Sequence, residues 1–199
     1  MSQDEKLINY PIDFNTLIGG WYIPKNICDD ILNFMDANKD KFSVGLSSYG
    51  IDKNHKDSKD LYIEKDYFGF PFNVYRHYLQ KCLDEYIKRY PEVNFNEKFD
   101  INENYNLQKY PKGGGFKGWH FENSMGKPTY KRVLVFMTYL NDVPDGGTAF
   151  AIQKLATKAE KGLTLIWPAI WTHTHKGIVS HTSEKQIVTG WYHSLSLYD

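Results

Sequence analysis

Two cysteines in 199 residues, Cys28 and Cys82, are too few and too far apart for a disulfide framework or a thiolate metal site. Both fall on apolar stripes, which predicts buried free thiols. There is no excess of either charge: Lys and Arg count 24, Asp and Glu count 24, and the formal charge is zero. Clamps for nucleic acid and binders of acidic membranes carry a basic excess, so general nucleic-acid binding is not expected. No apolar run approaches the roughly 20 residues of a membrane span. The charged start, MSQDEKLINYPIDF, lacks the apolar stretch of a secretory signal. A soluble, cytoplasmic protein without a membrane partner is the expectation. Repeats, low-complexity tracts and linker-like shifts in composition are missing too.

What is present is core-forming material. The chain is 41% hydrophobic and 16% aromatic, enough to fold, and its length suits one domain, 1–199. PKNICDDILNFMDANKD sets Ile27, Cys28, Ile31, Leu32 and Met35 on one helical face, with Pro24 suited to the first turn. A second helix is predicted after Pro71, where Tyr75, Tyr78, Leu79, Cys82, Leu83, Tyr86, Ile87 and Tyr90 recur at three- and four-residue spacing until Pro91. Residues 41–66, polar and lysine-rich, predict a long lid-like loop with two short strands.

From about residue 104 the pattern changes. NYNLQKY alternates, RVLVFMTYL is rich in β-formers, and GGTAF, LTLIW and QIVTGWY follow between turn residues. Helices followed by a strand-rich half predict a mainly β fold with flanking α-helices: a double-stranded β-helix, or distorted jelly roll, with the N-terminal helices packed on one sheet. In this division 1–100 is helical support with the loop, and 101–199 is the jelly-roll core.

Seven histidines occur, at 55, 77, 120, 173, 175, 181 and 193. His120 stands out by its setting, GWHFE, because residues two apart in an extended segment share a face. His120 and Glu122 can therefore converge on one ion. A third ligand from a distant strand would complete one face of an octahedron and leave three positions open, the arrangement that suits Fe(II). A closed tetrahedral zinc site needs a fourth protein ligand. His173 and His175 both offer themselves, and periodicity does not separate them. A phosphate loop at KGGGFKG is disfavoured, since it lacks the Gly-Lys-Ser/Thr ending and leads into no helix.

Three blocks, in order, carry a resemblance. YPKGGGFKGWHFE, RVLVFMTYLNDVPDGGTAF and HKGIVSHTSEK resemble the core of the 2-oxoglutarate/Fe(II)-dependent dioxygenases, in particular the prolyl 4-hydroxylase-like branch. The resemblance spans residues 105–193 and implies His120, Glu122 and His175 as metal ligands. His175 is favoured over His173 because Gly177 follows it and Lys185 stands ten residues on. It implies Lys185 as the cation for the distal carboxylate of 2-oxoglutarate, with Tyr139 and Tyr110 as further contacts and Thr189 and Trp191 on the same strand face. Trp119, Phe121, Trp167 and Trp171 are available as walls. The implied cofactors are Fe(II), 2-oxoglutarate and dioxygen, with ascorbate as a reductant. The implied activity is hydroxylation of an unactivated C–H bond as 2-oxoglutarate is decarboxylated to succinate, on a peptidyl proline first, or on another side chain, a free amino acid or a small metabolite. The family's usual carboxylate is Asp; Glu122 departs from it by one methylene. Retention of a carboxylate argues for hydroxylation rather than halogenation. Rival expectations are a jelly-roll binding protein with a vestigial metal site and a zinc or manganese cupin, in which Lys185 has no natural role.

Overall fold

A computed structural model describes residues 6–47, 50–94, 98–124 and 129–195. The first five residues of the charged start, and 48–49 within the 41–66 segment, lie outside the described residues. In chain order the elements are β1 (Ile8–Asn9), β2 (Gly19–Tyr22), α1 (Lys25–Ala37), β3 (Ser43–Val44), β4 (Lys56–Asp57), β5 (Lys59–Ile63), α2 (Phe72–Arg89), β6 (Phe99–Asp100) and β7 (Tyr105–Tyr110). They continue with β8 (Gly115–Phe116), β9 (Arg132–Tyr139), β10 (Val143–Phe150), β11 (Leu155–Ala159), β12 (Leu163–Pro168), β13 (His175–Ile178) and β14 (Lys185–Ser194).

The larger sheet runs β1-β2-β12-β9-β14-β7-β5-β3, with β6 on the end of β14; a smaller sheet runs β11-β10-β13, and β4 pairs with β8. Side-chain parity along the central strands builds two cores. One face sends Leu107, Leu134, Phe136, Ile166, Val188 and Tyr192 against the helices. The other sends Tyr110, Val135, Met137, Tyr139, Leu165, Trp167 and Ile187 toward the smaller sheet. That second face carries the site. Gly190 sits on the helix side, where a Cβ would lie 2.5 Å from the Phe136 ring and 2.6 Å from Tyr105. Glycine is what lets β14 pack closely there.

Both helices form as their apolar spacing predicts. α1 buries Ile27, Cys28, Ile31 and Met35, leaving Leu32 half-buried, and Pro24 caps the helix rather than occupying its first turn. α2 buries Phe72, Tyr75, Leu79, Cys82, Leu83 and Tyr86 and ends before Pro91. Cys28 and Cys82 are buried free thiols, and burial raises both, the Cys28 thiol to about 12. No helix among the described residues is long and apolar enough to cross a membrane.

The 41–66 segment corrects its expectation. It holds three strands, and β5 joins the main sheet alongside β7, pairing Leu61 with Leu107. KDLYI hides its strand character because one face is polar: Asp60 and Tyr62 look into a cavity rather than a core. Asp60 is buried, taking a 2.5 Å ion pair from Lys56 and a 2.7 Å hydrogen bond from the Ser58 hydroxyl.

Candidate metal centre and its cavity

His120 and His175 face each other across a reciprocal backbone pair. The His120 amide donates to the His175 carbonyl at 2.9 Å, and the His175 amide donates to the His120 carbonyl at 2.8 Å. The following amides, Glu122 and Asn123, both donate to the Ala169 carbonyl, at 3.0 and 2.9 Å. The short ligand-bearing segment is thus fixed by main-chain bonds although it forms no regular strand. As expected, His120 and Glu122 converge.

Each imidazole is oriented through its inner nitrogen. His120 Nδ1 lies 2.9 Å from the Gly118 carbonyl and His175 Nδ1 lies 2.8 Å from the His173 carbonyl. A carbonyl only accepts, so both Nδ1 atoms carry the proton and both Nε2 lone pairs face outward, as metal ligation requires. Phe116 stacks on the His120 ring at 3.6 Å and 9°, and Trp167 meets His175 edge to face with ring centres 5.0 Å apart.

Glu122 Oε1 lies 3.4 Å from His120 Nε2 and 3.7 Å from His175 Nε2. One ligand atom from each of the three residues falls within 4.8 Å of the others. Donors ~2.1 Å from an ion and at right angles would stand about 3 Å apart, so the set fits a single metal with few adjustments. Burial pushes the Glu122 carboxyl up, but the neighbouring imidazoles of His120 and His175 and the Arg132 guanidinium outweigh it and hold the group at about 2. Burial and the neighbouring His120 push His175 down to about 4. A carboxylate and a neutral imidazole are the ligating forms. Two nitrogens and one oxygen, with no fourth protein ligand in the cluster among the described residues, match a two-His-one-carboxylate Fe(II) site better than a closed zinc site.

His173 is separated from the ligands by local geometry. Trp171–His173 form a 3-10 turn, so two-residue alternation fails there, and His173 Nε2 lies 2.9 Å from the Thr16 carbonyl. It is buried against the N-terminal segment and is not a lining residue of the cavity.

The three candidate ligands border a cavity of about 870 Å³, and Lys185, Tyr110, Tyr139, Thr189 and Trp191 all line it. Lys185 sits opposite Tyr110 in the β14–β7 register. Its Nζ donates to the Ile178 carbonyl at 2.8 Å and lies 5.4 Å from the Tyr110 ring centre. Among the described residues no carboxylate pairs with this buried ammonium, and burial lowers it to about 8. Gly177 makes room for it, since a Cβ there would stand 3.3 Å from Nζ. Tyr139 Oη lies 2.6 Å from Thr148 Oγ1, and the Tyr110 hydroxyl donates to Gln108 at 2.6 Å. Thr189 donates to the Phe136 carbonyl at 3.2 Å. Trp167, Trp119 and Phe121 line the cavity, the last two half-exposed at its mouth; Trp171 is exposed and does not.

Sequence reasoning missed Arg132, Glu103 and His193, which form a network against Glu122. Their separations along the chain leave no local spacing to find. It also missed Phe116, Gln108 and Thr148. Gln108 shares the alternation of Tyr110, and Thr148 lies inside GGTAF, so strand parity was the available signal.

Residues 105–193 match the model of the 2OG-Fe(II) oxygenase superfamily. No curated protein sequence matches the chain significantly. Among solved structures the chain resembles a Pseudomonas putida prolyl-4-hydroxylase at 12% identity and a TM-score of 0.65, covering 90% of this chain and 93% of that one. It resembles a Trichoplax adhaerens prolyl hydroxylase, in complex with a hypoxia inducible factor oxygen degradation domain peptide fragment, at 16% identity and a TM-score of 0.65, covering 90% and 86%. A viral collagen prolyl hydroxylase from Paramecium Bursaria Chlorella virus-1, in a 2OG complex, gives 16% identity and a TM-score of 0.64 over 90% and 97%.

Proposed function

We propose, from the premise that the chain belongs through residues 105–193 to the 2OG-Fe(II) oxygenase superfamily, that it hydroxylates an unactivated C–H bond with 2-oxoglutarate and dioxygen as co-substrates. His120, Glu122 and His175 hold Fe(II). Lys185 takes the distal carboxylate of 2-oxoglutarate, and Tyr139 and Tyr110 flank it. Thr189 and Trp191 complete the wall between that lysine and the cavity mouth. The metal with 2-oxoglutarate supplies the oxidising power, succinate and carbon dioxide being the co-products, and ascorbate serves to restore the reduced metal.

The observation that carries this reading is the pairing of a three-donor site with an unpaired cation in one cavity. A buried ammonium without a counter-ion is costly unless a ligand supplies one, and a dicarboxylate chelating the metal does so. The residues of the chain bind and orient. The Nδ1–H bonds to Gly118 and His173 aim the two imidazoles, and Phe150 and Trp167 keep water from the inner side of His175. The same pairing disfavours a vestigial site, which would have lost a donor or the lysine.

The substrate we favour is a peptidyl proline. Its support is the fold shared with prolyl hydroxylases and a cavity mouth flanked by the half-exposed Trp119 and Phe121, against which an aliphatic ring and its flanking chain can pack. Another side chain, a free amino acid or a small metabolite is the alternative on the same scaffold. The whole of 1–199 acts as one domain, in the cytoplasm.

Succinate release tests the reading. Purified protein is loaded anaerobically with Fe(II), given 2-oxoglutarate, and exposed to oxygen. Uncoupled succinate formation is expected in the wild type, lost in His120→Ala and His175→Ala, and regained in Lys185→Ala only at high 2-oxoglutarate. A wild type that neither forms succinate nor binds 2-oxoglutarate in a metal-dependent way refutes it.

A further inference from the structure

The two oxygens of Glu122 face different partners. Oε1 looks toward both histidine Nε2 atoms, at 3.4 and 3.7 Å. Oε2 lies 3.6 Å from Arg132 Nη1, within ion-pair distance, and the same nitrogen donates to the Glu122 carbonyl at 3.3 Å. Glutamate carries one methylene more than aspartate, and with that reach it can turn both oxygens onto an ion. Bidentate attachment would consume a coordination position that a chelating co-substrate needs.

Arg132 is itself held rigidly. Its Nε and Nη2 make a bidentate pair with Glu103, at 2.6 and 2.7 Å, and its guanidinium lies 3.6 Å over the Trp191 ring. Glu103 is backed by His193 Nε2 at 2.9 Å. His193 Nδ1 accepts from the Asn102 amide at 3.3 Å, which fixes the tautomer that donates through Nε2. The residue after the ligand, Asn123, donates to the Arg132 carbonyl at 2.8 Å. Each contact limits the freedom of the guanidinium, and a planar fork is suited to such fixed geometry.

We propose that Arg132 is a positioning residue that keeps Glu122 monodentate: it retains Oε2, so that only Oε1 faces the metal. Glu103, His193 and Trp191 hold the arginine in place. The clamp rests on the metal site proposed above, and it accounts for how this chain uses glutamate where its family commonly has aspartate.

The test measures binding rather than turnover. Mn(II) affinity of the full chain is read from the electron paramagnetic resonance signal of free Mn(II), and 2-oxoglutarate binding to the Mn(II)-loaded protein by calorimetry. Arg132→Met is expected to leave Mn(II) binding at or above wild-type strength, since the freed Oε2 becomes a further donor, and to weaken 2-oxoglutarate binding to the Mn(II)-loaded protein ~10-fold, the low end of the range for lost outer partners of a metal ligand. Arg132→Lys should fall between, keeping charge without the fork. In a Glu122→Asp background, where the carboxylate stops one methylene short, Arg132→Met should cost no more than about threefold. Glu103→Gln, which barely alters volume, should show the same direction and carries the test if Arg132→Met does not fold by circular dichroism. 2-Oxoglutarate binding at wild-type strength in Arg132→Met or Glu103→Gln overturns the clamp, as does an equal loss in both backgrounds. Failure of the wild type to bind Mn(II) at all removes the metal site itself.

Discussion

Lys185→Met should make the protein more stable while disabling it. Lys185 is 4% exposed, and its ammonium lacks a carboxylate partner among the described residues. Burial lowers it from 10.5 to about 8, which corresponds to roughly 3 kcal/mol of cost to the folded state at neutral pH. Methionine fills similar space without the charge, but the Ile178 carbonyl then loses its donor, a loss of about 1 kcal/mol or somewhat more. The net gain is about 1–2 kcal/mol, or about 2–8 °C in Tm for a chain of this size. Between about pH 8 and 10.5 the unfolded chain holds the proton that the folded one has released, so wild-type stability rises with pH and the gap to Lys185→Met closes. Addition of metal and 2-oxoglutarate should invert the order. At 100 times Kd the ligand adds about 2.7 kcal/mol to the wild type, whereas truncating the buried cation weakens its binding by at least ~30-fold. Differential scanning calorimetry with and without ligand, at pH 7 and 10, reads all of this. A Lys185→Met protein that melts below the wild type when metal and 2-oxoglutarate are both absent refutes the reasoning.

His173→Ala should retain metal yet lose about 1–2 kcal/mol, since it removes the bond to the Thr16 carbonyl; His175→Ala should lose metal, and equilibrium dialysis with urea melts separates the two. Gly147 has φ +140° and a Cβ there would lie 2.0 Å from the Thr157 carbonyl oxygen, so Gly147→Ala should cost ~2 kcal/mol or more in chemical denaturation. Asp60→Asn strands the buried Lys56 ammonium and should cost about 3–5 kcal/mol; Lys56→Met combined with Asp60→Leu should recover most of that loss in the same measurement.

What the sequence displayed were the features that repeat or that sit close together. α2 was legible because eight apolar positions keep helical spacing up to Pro91, and β9 because RVLVFMTYL buries both of its faces. His120 and Glu122 were legible as two residues on one short segment. β5 was not, because a strand whose inner face lines a polar cavity alternates Asp60 and Tyr62 with Leu61 and Ile63, and KDLYI then looks like a solvated loop. His173 and His175 were equivalent under alternation, and only the 3-10 turn at Trp171–His173 turns one away from the other. The Arg132–Glu103–His193 network spans 29 and 90 or so residues of chain, and a contact of that kind leaves no periodic trace.

This difference has a physical origin that bears on where the site's specificity lies. Donor type and spacing are set by the metal, whose demands are few and local, so they can be written into a pentapeptide such as GWHFE. The orientation of those donors has two sources: each imidazole is held by a carbonyl two residues before it, Gly118 or His173, whereas Oε2 of the carboxylate is held by Arg132 arriving from β9. Exchange of aspartate for glutamate leaves the donor type unchanged and alters only the reach, which makes it a change that the surrounding strands must answer. In this chain the answer lies at the start of β9 and the end of β14, where Arg132 packs over Trp191. Those same two strands carry Tyr139 and Lys185, and residues Lys185 through Trp191 of β14 line one cavity on alternate positions. A shift of β14 by one residue would therefore withdraw the Lys185 ammonium and the support of the arginine together. The candidate metal site and the buried Lys185 are tied together by the register of one pair of strands, β14 on β9.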